Sequence, residues 1–184
     1  MNKRSKFLSL GLEYFILARN SVFIGLPTIC GVMYHHAFEL LLKNYFEKDH
    51  TTQQLKDDFG HKLKKLWKEF KKKFPRENLS KFDELIVDID RWEGIRYLDF
   101  PKEISALGFT VHFNRDDMEK VKKNMVKLKK NKQELYSFMF DDADELFSVI
   151  LRLSPIKPEY AKSMLIKKEA QKIYLNQNKF PYWE

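Results

Sequence analysis

The spacing of apolar residues predicts an all-α protein. Three observations carry that prediction. Apolar side chains recur at intervals of three and four along most of the 184 residues. Gly and Pro, six of each, are few enough to leave long uninterrupted elements, and those that break the stripes stand between them. Sixteen Phe, eight Tyr and three Trp supply bulky filler for one core, so residues 1–184 read as a single helical domain.

The elements follow in order. Phe7, Leu8, Leu10, Leu12, Tyr14, Phe15, Leu17 and Ala18 make a strongly apolar first helix. Gly25 and Pro27 separate it from a second, with Pro27 suited to the first turn, and this helix ends near Lys48. HTTQQLKDD reads as a polar connection. His61 to Phe74 is amphipathic, with Leu63, Leu66, Trp67, Phe70 and Phe74 on one side, and Pro75 stops it. Ser80 with Asp83 approximates a capping box for a helix that runs to about Tyr97, buried through Phe82, Leu85, Ile86, Ile89 and Trp92. An irregular or extended insertion is expected around 98–115, where Phe109, Val111 and Phe113 alternate with Thr110 and His112; a lone strand there would pack on the helices or pair across a dimer. Additional helices are expected over 116–176. One starts at Asn114 or Asp116 with Met118, Val121, Met125 and Leu128 on one side; one follows the acidic run 141–145 up to Pro155; one spans Pro158 to Asn176. Residues 177–184 form a tail with Phe180, Tyr182 and Trp183 available to dock.

Charge is unevenly placed. The formal net charge is +8, yet His61–Arg76 alone carries +7 and Met118–Lys132 carries +6. Local basicity of this kind suits an acidic partner such as RNA or another polyanion, with Lys64, Lys65, Lys68, Lys71 and Lys72 as the contacts. The aromatics fall on buried stripes, so binding would act on the phosphate backbone and be sensitive to salt. Cys30 is the one cysteine and lies among apolar neighbours, a small buried hydrophobe in a chain that points to a cytoplasmic home. The uncharged run from Asn20 to Phe38 approaches the length of a membrane span, but Asn20, Ser21, Gly25, Pro27, Gly31 and two His oppose spanning, and no membrane role is expected. Lys3, Arg4 and Lys6 ahead of LSLGLEYFILA have the outline of a signal peptide, which Glu13 and the lack of a small-residue cleavage site oppose. No motif for a cofactor, a phosphate loop or a metal site is present.

The second helix holds the most informative stretch. Met33, Tyr34, Ala37, Phe38, Leu41 and Tyr45 share a broad face, while His35, His36, Glu39, Lys43 and Glu47 fall on a narrow polar stripe. Polar groups on so apolar a helix are expected to face a groove or a partner, and His36, Glu39 and Lys43 are the groove candidates.

An apolar helix pair with YHHAFELLLKNYF on its second member, then GHKLKKLW, then a helix running into RYLDFP, resembles the HEPN superfamily of small helical domains. The resemblance covers about residues 8–100 and implies an antiparallel helical bundle, commonly dimeric. Many members are ribonucleases of prokaryotic toxin or defence systems; others are inactive partners of nucleotidyltransferases or antitoxins. Catalytic members carry an Arg followed by His after four to six residues, and no Arg here has a His at that spacing. Leu98 also stands where similar members have Pro after Tyr. The expected function is therefore a non-catalytic HEPN-like interaction module binding RNA or another polyanion. A diverged ribonuclease is the alternative, with His35 or His36 as base and Arg91 or Arg96 as the phosphate-stabilising cation. A structural homodimerisation domain is the third reading. The GHxL pattern makes His61 part of a helix entry.

Overall fold

The computed structural model describes residues 5–96, 106–130, 133–154, 156–165 and 167–183, with Arg96, Ala106, Lys122 and residues 125–130 in backbone only. The framework is an antiparallel helix pair, α1 (Lys6–Phe23) and α2 (Pro27–Phe46). Ser5 caps α1 by accepting from the Leu8 N–H, and Pro27 occupies the first turn of α2 as its fixed φ favours. Around the pair lie α3 (Thr52–Phe59), α4 (Leu63–Lys73), a 3-10 turn at Ser80–Phe82, α5 (Asp83–Arg91), α6 (Glu93–Arg96), α7 (Arg115–Lys130), α8 (Phe140–Leu153), α9 (Pro158–Met164) and α10 (Lys168–Leu175). Two short strands, β1 (Ala106–His112) and β2 (Gln133–Met139), complete a mostly helical fold.

The expected core is present as one cluster. Phe15, Phe38, Leu41, Leu66, Trp67, Phe70, Ile86, Ile89 and Trp92 are all buried in it. Phe15 stacks on Phe147 of α8 at 3.7 Å between ring centroids. Trp92 lies flat on α2 because residue 31 is Gly: a Cβ there would stand 2.0 Å from the indole. Cys30 is buried with its thiol pushed upward by desolvation, the inert small hydrophobe expected.

Five boundary expectations need correction. HTTQQLKDD is not a plain connection but contains α3. Its signal is a capping box in which the Gln54 N–H donates to Thr51 Oγ1 at 3.2 Å and the Thr51 N–H to Gln54 Oε1 at 2.8 Å. The helix expected from His61 starts at Leu63, which frees His61 for another role. Ser80 forms no side-chain cap, because it lies inside the 3-10 turn and the Asp83 N–H goes to its carbonyl; the Asp83 carboxylate accepts from Trp67 Nε1 and Lys71 Nζ, both at 2.7 Å. The next helix breaks at Trp92, where the N–H turns to the Ile89 carbonyl three residues back. The stretch from Pro158 is two helices, with Gln171 donating its side-chain amide to the Leu165 carbonyl between them.

The strand at Phe109–Val111 has an intramolecular partner. β1 pairs in parallel with β2, Phe109 opposite Tyr136, and α7 is the crossover between them. β2 was legible in principle, since Tyr136, Phe138 and Phe140 alternate with Ser137 and Met139. Phe109, Tyr136 and Phe138 pack on Trp92. Residues 98–105 of the expected insertion, Tyr97 and Pro155, and the side chains of Met125 and Leu128, lie outside what is described. Trp183 stacks on Tyr174 at 3.8 Å, so the tail is docked. No described helix is long and apolar enough to cross a membrane.

Candidate functional site

The polar stripe of α2 converges on Glu39, which is only 2% exposed. Lys43, one turn on, donates to Glu39 Oε1 at 2.5 Å and to the Gly60 carbonyl at 2.6 Å. Gly60 can present that carbonyl because it ends α3 with a φ of 52°, a conformation that favours glycine. The next residue, His61, reaches back and places Nδ1 3.1 Å from Glu39 Oε2. A carboxylate only accepts, so Nδ1 is the protonated nitrogen that His61 gives to this contact. His36 Nδ1 stands 3.8 Å from the same carboxylate oxygen.

His35 sits one layer deeper. Its side chain is fully buried, with Nε2 3.7 Å from Glu39 and 3.6 Å from Glu93 of α6. Both distances exceed a hydrogen bond, and neither ring nitrogen has a hydrogen-bond partner among the described residues. Burial pushes the His35 imidazole below its ordinary value, against the opposing pull of Glu93 and Glu39. Burial would raise Glu39, but His36, Lys43 and His61 outweigh it and hold the carboxyl at about 2. Near neutral pH the site therefore has an ionised Glu39 over a neutral, enclosed His35.

The surface outside this cluster is a concavity lined by His61, Lys62, Lys64, Lys65, Asp90 and Glu93. Of the expected groove residues, Glu39 and Lys43 are buried beneath it and support it rather than line it; His36 is partly exposed at its edge. The polar stripe and the 91–96 turn do meet, through Glu93. Arg91 is not part of that meeting: its guanidinium pairs with Glu134 of β2 at 3.2 Å and lies over the Tyr136 ring. The Arg96 side chain lies outside the described residues. The Arg91 guanidinium is thus engaged by Glu134 and Tyr136 of β2 and not by the polar stripe. His112, buried and pushed below its ordinary value by desolvation, belongs to β1 and not to this site.

The lysine surface is less cationic than its sequence. The acidic α5 packs beside α4, and Lys64 pairs with Asp90 at 3.0 Å and Lys71 with Asp83 at 2.7 Å. Lys72 pairs with Glu69 at 2.7 Å, and Lys65 donates to the Asp58 carbonyl at 2.5 Å. Lys62 and Lys68 are exposed and have no ion pair among the described residues. On the second basic segment Lys120 pairs with Asp117 at 3.2 Å.

Sequence reasoning took His61 for part of a helix entry and did not single out Glu93. The turn glycine before His61 was its available signal; Glu93 had none, since only the break at Trp92 brings it to His35. Among the described residues no group of three His, Cys, Asp or Glu side chains is placed to hold a metal ion. Compared with protein-family models, with curated proteins and with solved structures, the chain matches none.

Proposed function

We propose that this chain is a non-catalytic, HEPN-like interaction module whose basic concavity binds a phosphate-bearing polyanion, RNA first among them. The observation that carries the reading is the junction of α3 and α4. There His61, Lys62 and Lys65 stand exposed around one concavity, over a buried ionised Glu39 that orients His61. Such a surface takes up phosphate oxygens through charge and imposes little base selectivity. The resemblance to HEPN domains supports a role in a prokaryotic defence or toxin-antitoxin type system, with a nucleotidyltransferase or antitoxin as the protein partner, and the single cysteine supports a cytoplasmic home. Binding of single-stranded RNA measured against salt tests the reading. Each neutralised phosphate adds about 0.7 to the slope of log affinity against log salt. Changing Lys62, Lys65 and Lys68 to Gln together should weaken binding and flatten that slope by about two units. Absence of binding to RNA and DNA at low salt would overturn it.

One observation favours a second reading, the diverged ribonuclease. A carboxylate holding Nδ1 of an exposed histidine is how a general base is oriented, so His61 replaces His35 and His36 as the candidate base. The purified protein would then cleave RNA in the presence of a chelator, and His61→Gln would abolish cleavage while leaving RNA binding within a few-fold.

A further inference from the structure

The two walls of the concavity carry opposite charge. On one side stand Lys62, Lys64 and Lys65 at the start of α4; on the other stand Asp90 of α5 and Glu93 of α6. The space between them is 520 Å³, within the roughly 300–1,000 Å³ of small-ligand sites. We infer that it seats the 3′ end of an RNA strand, with the terminal ribose turning its cis-diol to Glu93 and Asp90 and the preceding phosphates lying on Lys62, Lys65 and Lys68. The inference rests on the polyanion reading and names the part of the polyanion that the site takes.

Three observations lead to a chain end. The first is the acidic wall. Carboxylate oxygens accept and do not donate, so Asp90 and Glu93 call for a donor on the ligand and repel a phosphate. An unbroken phosphate track through the concavity carries its charge past both of them. A terminal ribose brings two adjacent hydroxyl donors and no further phosphate, and in a nucleic acid strand only the 3′ end of RNA has that pair. Acceptance of a ribose hydroxyl by an acidic side chain is also the recognition used in dinucleotide sites.

The second is how the wall is held. The Asp90 and Glu93 side chains are 17% and 18% exposed, within reach of a ligand but not swinging in solvent. Lys64 holds Asp90 from the opposite wall at 3.0 Å, and His35 stands behind Glu93 at 3.6 Å.

The third is direction. Lys64 pairs with Asp90 and Lys71 with Asp83, so α4 and α5 run antiparallel, and Glu93, just past α5, lies beside the start of α4. Lys62, Lys65 and Lys68 are exposed and follow at intervals of three along α4, leading away from Glu93. A free mononucleotide engages only the first of these lysines. A strand that ends at Glu93 engages all three, which selects an RNA end over a free nucleotide.

Fluorescence anisotropy with the full chain and a short single-stranded RNA, labelled at its 5′ end and kept at low salt, tests the proposal. One sequence is offered with a cis-diol end, a 3′-phosphate end and a 3′-deoxy end, and unlabelled AMP serves as competitor. Wild type should bind the phosphate end about tenfold more weakly than the diol end and the deoxy end about threefold more weakly, as loss of a hydrogen bond to a charged group predicts. All three carry the same bases, so base contacts do not contribute to the difference. Glu93→Gln removes the repulsion and should bring the phosphate end within about threefold of the diol end. Equal binding of the three ends by wild type, or the same discrimination in wild type and Glu93→Gln, would overturn the inference and leave the polyanion reading standing. AMP that competes as strongly as the diol-ended RNA would also overturn it. Failure to bind any of the RNAs at low salt would overturn the polyanion reading itself, and this inference with it. The comparison of ends uses wild type alone and decides the matter even if the variant does not fold.

Discussion

Two buried carboxylates in this molecule are driven in opposite directions. Glu39 on α2 is held down at about 2, while burial pushes Asp144 on α8 up to about 6 in spite of its contact with Arg19. The side chains are alike in exposure, 3% and 0%. They differ in how many donors they receive. Glu39 has Lys43 on one oxygen and His61 on the other, and His61 lines the open concavity. Asp144 has Arg19 on Oδ1 and nothing on Oδ2 among the described residues. Arg19 divides its donors, giving Nε to the Ile173 carbonyl at 3.1 Å and Nη2 to the Asn176 carbonyl. Its guanidinium also lies over the Phe140 ring. Arg19 therefore ties α1 to α8 and to the end of α10, a sealed structural staple. The Glu39 cluster is a charged platform with one side reachable from solvent. Burial of a charged pair alone does not separate a structural site from a functional one; the donor count and the opening do.

The largest effect should come from breaking the staple. Arg19→Met leaves Asp144 buried without its partner and frees two backbone carbonyls, and should cost about 4 kcal/mol in urea or thermal unfolding at pH 7. The loss should be smaller below about pH 6, where Asp144 takes up a proton. Limited proteolysis should then cut first near residues 165–178. An equal loss at pH 5 and pH 8 would show that Asp144 binds its proton alike in wild type and variant.

Glu39→Gln should come next, with a loss of about 3 kcal/mol at pH 7 because Lys43 and His61 lose their anion. The sign follows from the depressed carboxyl. Its stabilisation is present above the unfolded value near 4.5 and is lost as pH falls toward about 2. The advantage of wild type over the variant should therefore shrink between pH 5 and pH 2 and stay constant from pH 6 to pH 8.

His35→Gln should have the smallest effect at pH 7.5, within about 1 kcal/mol, and should move the pH dependence most clearly. The folded imidazole lies below its unfolded value of 6.5, so His35 favours folding above that pH and opposes it progressively below. The stability of wild type relative to His35→Gln should drop from pH 7.5 to pH 5. A relative stability that instead rises as pH falls over that range would mean that His35 is protonated in the fold, paired with Glu93.

The elements that local pattern determines were legible before the structure. The stripes through Phe15, Phe38, Leu66, Trp67, Ile86 and Trp92 all enter the core, because a helix period forces those residues onto one side wherever the helix is placed. The convergence of His35, His36, Glu39 and Lys43 was readable for the same reason. What needed the tertiary structure depends on segments far apart in the chain. Arg19 read as one charge on an apolar helix until Asp144 came beside it, 125 residues away. His61 read as a helix entry until the α3–α4 turn carried it onto Glu39. The +7 of His61–Arg76 read as an open basic face until α5 supplied Asp83 and Asp90. Periodicity reports which way a side chain points from its own backbone. Which charge it meets is decided by the packing of elements, and no local period encodes that.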